Sequence, residues 1–146
     1  MKCTIDASVF VAIARADEAQ HADSVDFLRQ LRRQGVPVFC PSLVLPECAG
    51  AISRPTGGSE DARRLVRSLE RFNGMGFVSL DMPRAERAAE IAITCRLRGS
   101  DSTYVAVAEV FDSVLVTWDA EMLARGPAVV PTMTPTDWLA RYTPSP

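Results

Sequence analysis

Five short apolar runs, separated by stretches of helical periodicity, fill this chain from end to end and leave room for one broad class of fold. The runs are residues 2–6 (KCTID), 36–40 (VPVFC), 76–80 (GFVSL), 113–118 (SVLVTW) and 128–131 (AVVP). Between them, HADSVDFLRQLRRQG places Val25, Leu28 and Leu31 on one face and stops at Gly35. The stretch PRAERAAEIAITCRLRG has Pro83 early, an apolar face through Ala88, Ile91 and Cys95, and Gly99 as its stop. Short apolar strands joined by helical crossovers imply a mainly parallel sheet covered on both sides, an α/β sandwich. No linker, repeat or low-complexity stretch divides the 146 residues, and 47% hydrophobic content suffices for the core of a single domain spanning 1–146.

Composition narrows the function. No run of some 18 uncharged apolar residues is present, and Asp6 interrupts any signal-peptide pattern at the N-terminus, so the chain is expected to be soluble and cytoplasmic, with no membrane partner. Cys3, Cys40, Cys48 and Cys95 show no C-x-x-C spacing and sit in apolar patterns, which predicts buried thiols rather than zinc ligands or a disulfide framework. His21 is the sole histidine, in a polar stretch that places it at the surface, and it argues against two-imidazole chemistry and a Ser–His triad. A net charge of −2 gives the whole molecule no bulk attraction for nucleic acid. A polyanionic substrate would need a local arrangement.

Four acids supply one. Asp6 stands between the first strand and an apolar helix in KCTIDASVFVAIA, and Asp119 repeats that pattern in SVLVTWDAEML. Capping of the following helix, by Asp6 or Ser8 in the first case, is the local explanation. Glu47 is the only charged residue between Gln34 and Arg54, within PSLVLPECAGAIS, and an apolar surrounding demands a cation, a hydrogen-bonding partner or a raised pKa. Asp101 begins a helix in LRGSDSTYVAVAEV, where Ser100 could cap and Tyr104, Val105, Ala108 and Phe111 face inward. In a parallel α/β fold, ligands bind beyond the carboxyl ends of the strands, where strand order reverses. Carboxylates gathered there repel by roughly 4 kcal/mol for a pair about 4 Å apart at an effective dielectric of about 20. With one lysine and no arginine adjacent in sequence to any of the four, a divalent metal is the natural counter-charge, and oxygen ligands suit Mg²⁺ or Mn²⁺. Such ions bind phosphate oxygens and support in-line displacement, which is phosphodiester hydrolysis.

Through IDASVFVA, LPECAGAI, LRGSDSTYVAVAE and LVTWDAEML, in this order, most of the chain resembles the PIN-domain nucleases, and within them the toxin ribonucleases of VapBC-type toxin–antitoxin pairs. The resemblance implies a three-layer α/β/α sandwich with a five-stranded parallel sheet, and a catalytic metal site of Asp6, Glu47, Asp101 and Asp119. Ser8 and Thr117 match supporting hydroxyl positions. It also implies an RNA substrate and a cognate antitoxin; a homodimer is expected besides. Ser102 and Thr103 stand where family members often have small apolar residues, and Trp118 occupies a variable place; both bear on the cleft wall rather than on metal binding.

Arg63, Arg67 and Arg71 recur at a helical spacing of four in EDARRLVRSLERF, with Leu65, Leu69 and Phe72 turned away. The stripe reads either as a solvated face, diluted by Glu60, Asp61 and Glu70, or as an edge that tracks RNA phosphates. Trp118 packs or stacks a base, and the apolar PSLVLPECAGAI helix is a candidate dimer or partner surface. Two other readings compete. A phospho-signalling receiver also clusters acids at strand ends but expects a lysine after a late strand, and Lys2 precedes the first. A non-catalytic PIN fold that binds RNA or a protein partner would tolerate degenerate acids, and here all four are present.

Overall fold

In the computed structural model, which describes residues 1–143, five parallel strands form one sheet in the order β3-β2-β1-β4-β5. They are β1 (Cys3–Ile5), β2 (Val38–Pro41), β3 (Met75–Val78), β4 (Val114–Val116) and β5 (Thr132–Met133). Central β1 pairs Cys3 with Val38 on one side and Cys3, Thr4 and Ile5 with Val114, Leu115 and Val116 on the other. Every residue of β1 is buried, consistent with a strand covered on both faces.

Helices α1 (Ala7–Ala14) and α2 (His21–Arg33) connect β1 to β2, and α3 (Val44–Thr56) and α4 (Ser59–Glu70) connect β2 to β3. Both crossovers run toward the same edge, so right-handed connections put these four helices on one face. The chain then reverses past β1: α5 (Met82–Cys95) and α6 (Gly99–Phe111) cross on the opposite face, where α6 packs on β1, β2 and β4. After β4 come α7 (Ala120–Arg125), a 3₁₀ turn (Gly126–Ala128), β5 and α8 (Pro135–Tyr142), which returns to pack on α2. The three-layer sandwich with five parallel strands is the expected one. Sandwiched between α5 and the sheet, α6 buries an unbroken run from Asp101 to Ala108. Among the described residues, no helix is long and apolar enough to cross a membrane.

Four local expectations need correction. The last strand is Thr132–Met133, not 128–131, because the N–H groups of Val129 and Val130 turn back onto the Gly126 carbonyl and the ladder to β4 starts only at the Pro131 carbonyl, which accepts from Leu115 N. Helix α5 stops at Arg96, held in the left-handed region at φ 53°, and Gly99 opens α6 instead. The inner face of α2 is Ser24, Phe27 and Leu31, with Val25 and Leu28 half-buried, because α8 docks there and Trp138 meets Phe27 edge-on at 5.0 Å. His21 is half-buried rather than at the surface, its Nδ1 within 3.0 Å of the Ala12 carbonyl. The cysteines are free; Cys3, Cys40 and Cys48 are buried and Cys95 half-buried. Burial pushes the Cys3 and Cys40 thiols up to about 12, so neither is a nucleophile at neutral pH.

Candidate active site

Where β1 ends, Asp6 turns the chain into α1 with extended backbone angles and accepts from Ser8 N as the helix cap. Two hydroxyls fix its carboxylate: Ser8 Oγ donates to Asp6 Oδ2 at 2.5 Å and Thr117 Oγ1 to the same oxygen at 2.9 Å. Each hydroxyl also accepts a backbone N–H of the β4 exit, Ser8 Oγ across the gap from Trp118 N (3.1 Å) and Thr117 Oγ1 locally from Asp119 N (2.9 Å). Asp119 in turn caps α7, its Oδ1 accepting from Met122 N at 2.9 Å. The carboxyl ends of adjacent strands β1 and β4 are thus knitted together through Ser8 and Thr117, at the point where strand order reverses. Asp6 and Asp119 both cap helices and both line the same cleft, so capping does not withdraw either from it.

Helices bring the other two acids. Asp101 lies in the first turn of α6 and is buried; Glu47 lies in the first turn of α3, half-buried, where Tyr104 donates its hydroxyl to Glu47 Oε2 at 2.5 Å. All four acids line one open cleft of about 720 Å³ together with Ser8, Trp118, Arg54 and Arg98. Burial raises the Asp6 pKa above the ordinary carboxylate value, the charge of Asp101 adds to this, and the Ser8 and Thr117 hydrogen bonds oppose it. Glu47 is raised for the same first reason, with Asp6 and Asp101 adding repulsion while the Tyr104 hydrogen bond pulls the other way.

No arginine is adjacent in sequence to any of these acids, yet Arg98, one helical turn before Asp101, answers two of them. From the N-cap of α6 its Nε donates to Asp101 Oδ2 and its Nη2 to Asp119 Oδ2, each at 2.9 Å. The arginines singled out on α4 are not among the cleft's lining residues: Arg63 and Arg67 pair with Glu60 on their own helix, and Arg71 ends it. Trp118 lines the cleft with its indole anchored, Nε1 donating to Ser24 Oγ at 2.8 Å. Ser102 and Thr103 turn their hydroxyls onto the Gly99 carbonyl and are not among the lining residues. Ser100 does not cap α6; it sits inside the first turn and lines the cleft. Sequence reasoning missed Arg54, Arg98 and Tyr104. Spacing held the signal, since Arg98 precedes Asp101 by one helical turn, Tyr104 follows it by one, and Arg54 follows Glu47 by two.

The donor chemistry fits a hard divalent cation. The acids and hydroxyls offer oxygen alone, and every donor that reaches Asp6 among the described residues goes to Oδ2, leaving Oδ1 for another partner. No three His, Cys, Asp or Glu side chains are drawn together as ligands of one ion among the described residues; Arg98 stands between Asp101 and Asp119 instead.

The family profile of the PIN domain matches residues 3–126. The chain belongs to the PIN-domain family. No curated protein matches it in sequence. Solved structures that resemble this PIN domain include VapC20 of Mycobacterium tuberculosis, a sarcin-ricin loop cleaving toxin, at 18% identity over 84% of this chain and 94% of that one, TM-score 0.69. VapBC2 of Rickettsia felis, bound to a DNA fragment from its promoter, matches at 14% identity over 92% and 98%, TM-score 0.69. FitAcB of Neisseria gonorrhoeae matches at 19% over 92% and 98%, TM-score 0.67. At such identities the likeness is one of fold.

Proposed function

We propose that this PIN domain is a Mg²⁺- or Mn²⁺-dependent endoribonuclease that hydrolyses RNA phosphodiester bonds, acting in the cytoplasm as the toxin of a VapBC-type pair. One observation carries the reading: acids from four separate elements open into one cleft, and the buried Asp6 among them is held by hydroxyls rather than neutralised by a cation. Asp6, Glu47, Asp101 and Asp119 would hold the ion, which when bound supplies a lowered water pKa and charge neutralisation at the phosphate. Ser8 and Thr117 orient Asp6. Glu47, its pKa raised by burial, is suited to accept the proton of the attacking water, and Tyr104 holds it in place. Arg54, at the cleft's rim, is available to a phosphate, so an acidic protein can position RNA locally. Fold kinship with VapC20 and with VapBC2 supports an RNA substrate and a cognate antitoxin; a homodimer remains the expected self-assembly.

The second reading, a non-catalytic PIN fold that binds RNA or protein, draws on the Arg98 bridge, which ties up two of the acids. Incubation of labelled RNA with the protein separates them. The nuclease reading expects cleavage in Mg²⁺ or Mn²⁺ that stops with a chelator and falls at least about a hundredfold in Asp6→Asn. Retention of RNA without cleavage under any divalent ion would favour the binding module.

A further inference from the structure

Both oxygens of Asp119 are engaged, Oδ1 by Met122 N and Oδ2 by Arg98 Nη2. The first of these bonds is part of the α7 cap and belongs to the fold. The second comes from a side chain that is 66% exposed and therefore free to leave. Arg98 also holds Asp101 Oδ2 through Nε, so a single guanidinium spans two carboxylates of the cleft, one at the exit of β4 and one at the start of α6.

We propose that Arg98 is the resident counter-cation of the metal-free site: it occupies the charge position between Asp101 and Asp119, and a divalent ion must displace it to reach Asp119. The proposal rests on the metal-dependent reading above and adds to it a competition built into the chain. A guanidinium suits this role because its planar fork bridges two carboxylates at fixed geometry, whereas an ammonium acts as a point charge. An exposed ion pair is weak enough to be displaced, so metal binds with the arginine swung into solvent, and the cost of breaking the pair appears as weaker metal affinity. In the absence of metal the same contact relieves repulsion between two acids that the fold holds facing each other. Arg98 is thus a positioning residue, and its effect falls on metal affinity before it falls on rate.

The test is Mn²⁺ binding, measured by calorimetry and by the loss of the free-ion electron paramagnetic signal, for the parent, Arg98→Gln and Arg98→Lys. Arg98→Gln is expected to bind Mn²⁺ about fivefold tighter or more, Arg98→Lys to lie between the two, and the gain to vanish when Asp119→Asn is added. The metal-free thermal midpoint of Arg98→Gln should be lower than the parent's, and the two should converge at saturating Mn²⁺. A purely structural arginine would shift the midpoint equally with and without Mn²⁺ and leave affinity alone, which overturns the proposal. Parent binding with Arg98→Gln no tighter also overturns it while leaving the metal site intact. If neither protein binds Mn²⁺, the competition and the metal-dependent reading both fall.

Discussion

Three donors converge on one oxygen of Asp6, and this convergence sets what neighbouring residues can do: Ser8 and Thr117 each spend a proton on Asp6 Oδ2, Ser8 then accepting Trp118 N–H from the exit of β4 and Thr117 accepting Asp119 N–H within its own exit. The result is a carboxylate oriented from behind, with its pKa raised by burial and only partly pulled back by those bonds. Tyr104 does the corresponding work for Glu47, and its effect has a sign. A hydrogen bond to the charged form lowers a carboxyl pKa, so removing the hydroxyl raises Glu47 further and leaves it protonated at pH values where the parent is charged. Tyr104→Phe should therefore move the acid limb of the pH–rate profile for RNA cleavage toward higher pH. An unmoved limb would mean that Glu47 does not set it. Glu47 was legible from sequence because an apolar surrounding makes an isolated carboxylate conspicuous, Asp6 and Asp119 because each stands between an apolar strand and a helix start, and Asp101 because it opens a helix that Ser100 was free to cap. Arg98 and Tyr104 were not, because an arginine in a polar stretch and a tyrosine in a buried helix have ordinary explanations until the partner's position is known.

At the level of elements, the exits of β1 and β4 were readable because each combines an apolar strand, a hydroxyl and an acid before a helix start. The last strand was misplaced for an equally local reason. The sequence AVVP has the composition of a strand, but Gly126 lets the chain coil tightly against Thr132: a Cβ built there would lie 2.6 Å from Thr132 Oγ1 and 3.3 Å from its Cγ2. The short β-branched side chain of Thr132, whose hydroxyl donates to the Val130 carbonyl, has little room to yield. Gly126→Ala should accordingly destabilise the protein by about 1–3 kcal/mol in denaturant unfolding. A loss within about 0.5 kcal/mol would show that this turn repacks freely. The signal for α8 was also present, since Thr134 and Asp137 form a reciprocal cap with Pro135 at the first helical position. Its docking on α2 turned the inner face of that helix toward Phe27, which no periodicity within α2 alone could specify.

For the whole molecule, the reversal of strand order between β1 and β4 explains why distant sequence motifs meet. Two crossovers run one way and build α3, with Glu47, on one face; the chain then passes back and lays α6, with Asp101, on the other, so the two helices flank the strand ends that carry Asp6 and Asp119. The net charge of −2 does not oppose an RNA substrate, because Arg54 and Arg98 stand at the cleft itself. The central claim is that these four acids act as one metal-dependent site, and Glu47 tests it best, being the one acid of the four that caps no helix and pairs with no arginine among the described residues. The measurement is single-turnover cleavage of a labelled RNA by the parent and Glu47→Gln across a Mn²⁺ titration, with equal folding checked by circular dichroism. Glutamine keeps the shape and the contact with Tyr104 but removes the negative charge and the proton acceptor, so a loss of at least about a hundredfold at limiting Mn²⁺, partly recovered in excess, is predicted. Equal rates for the two proteins at limiting Mn²⁺ would contradict it.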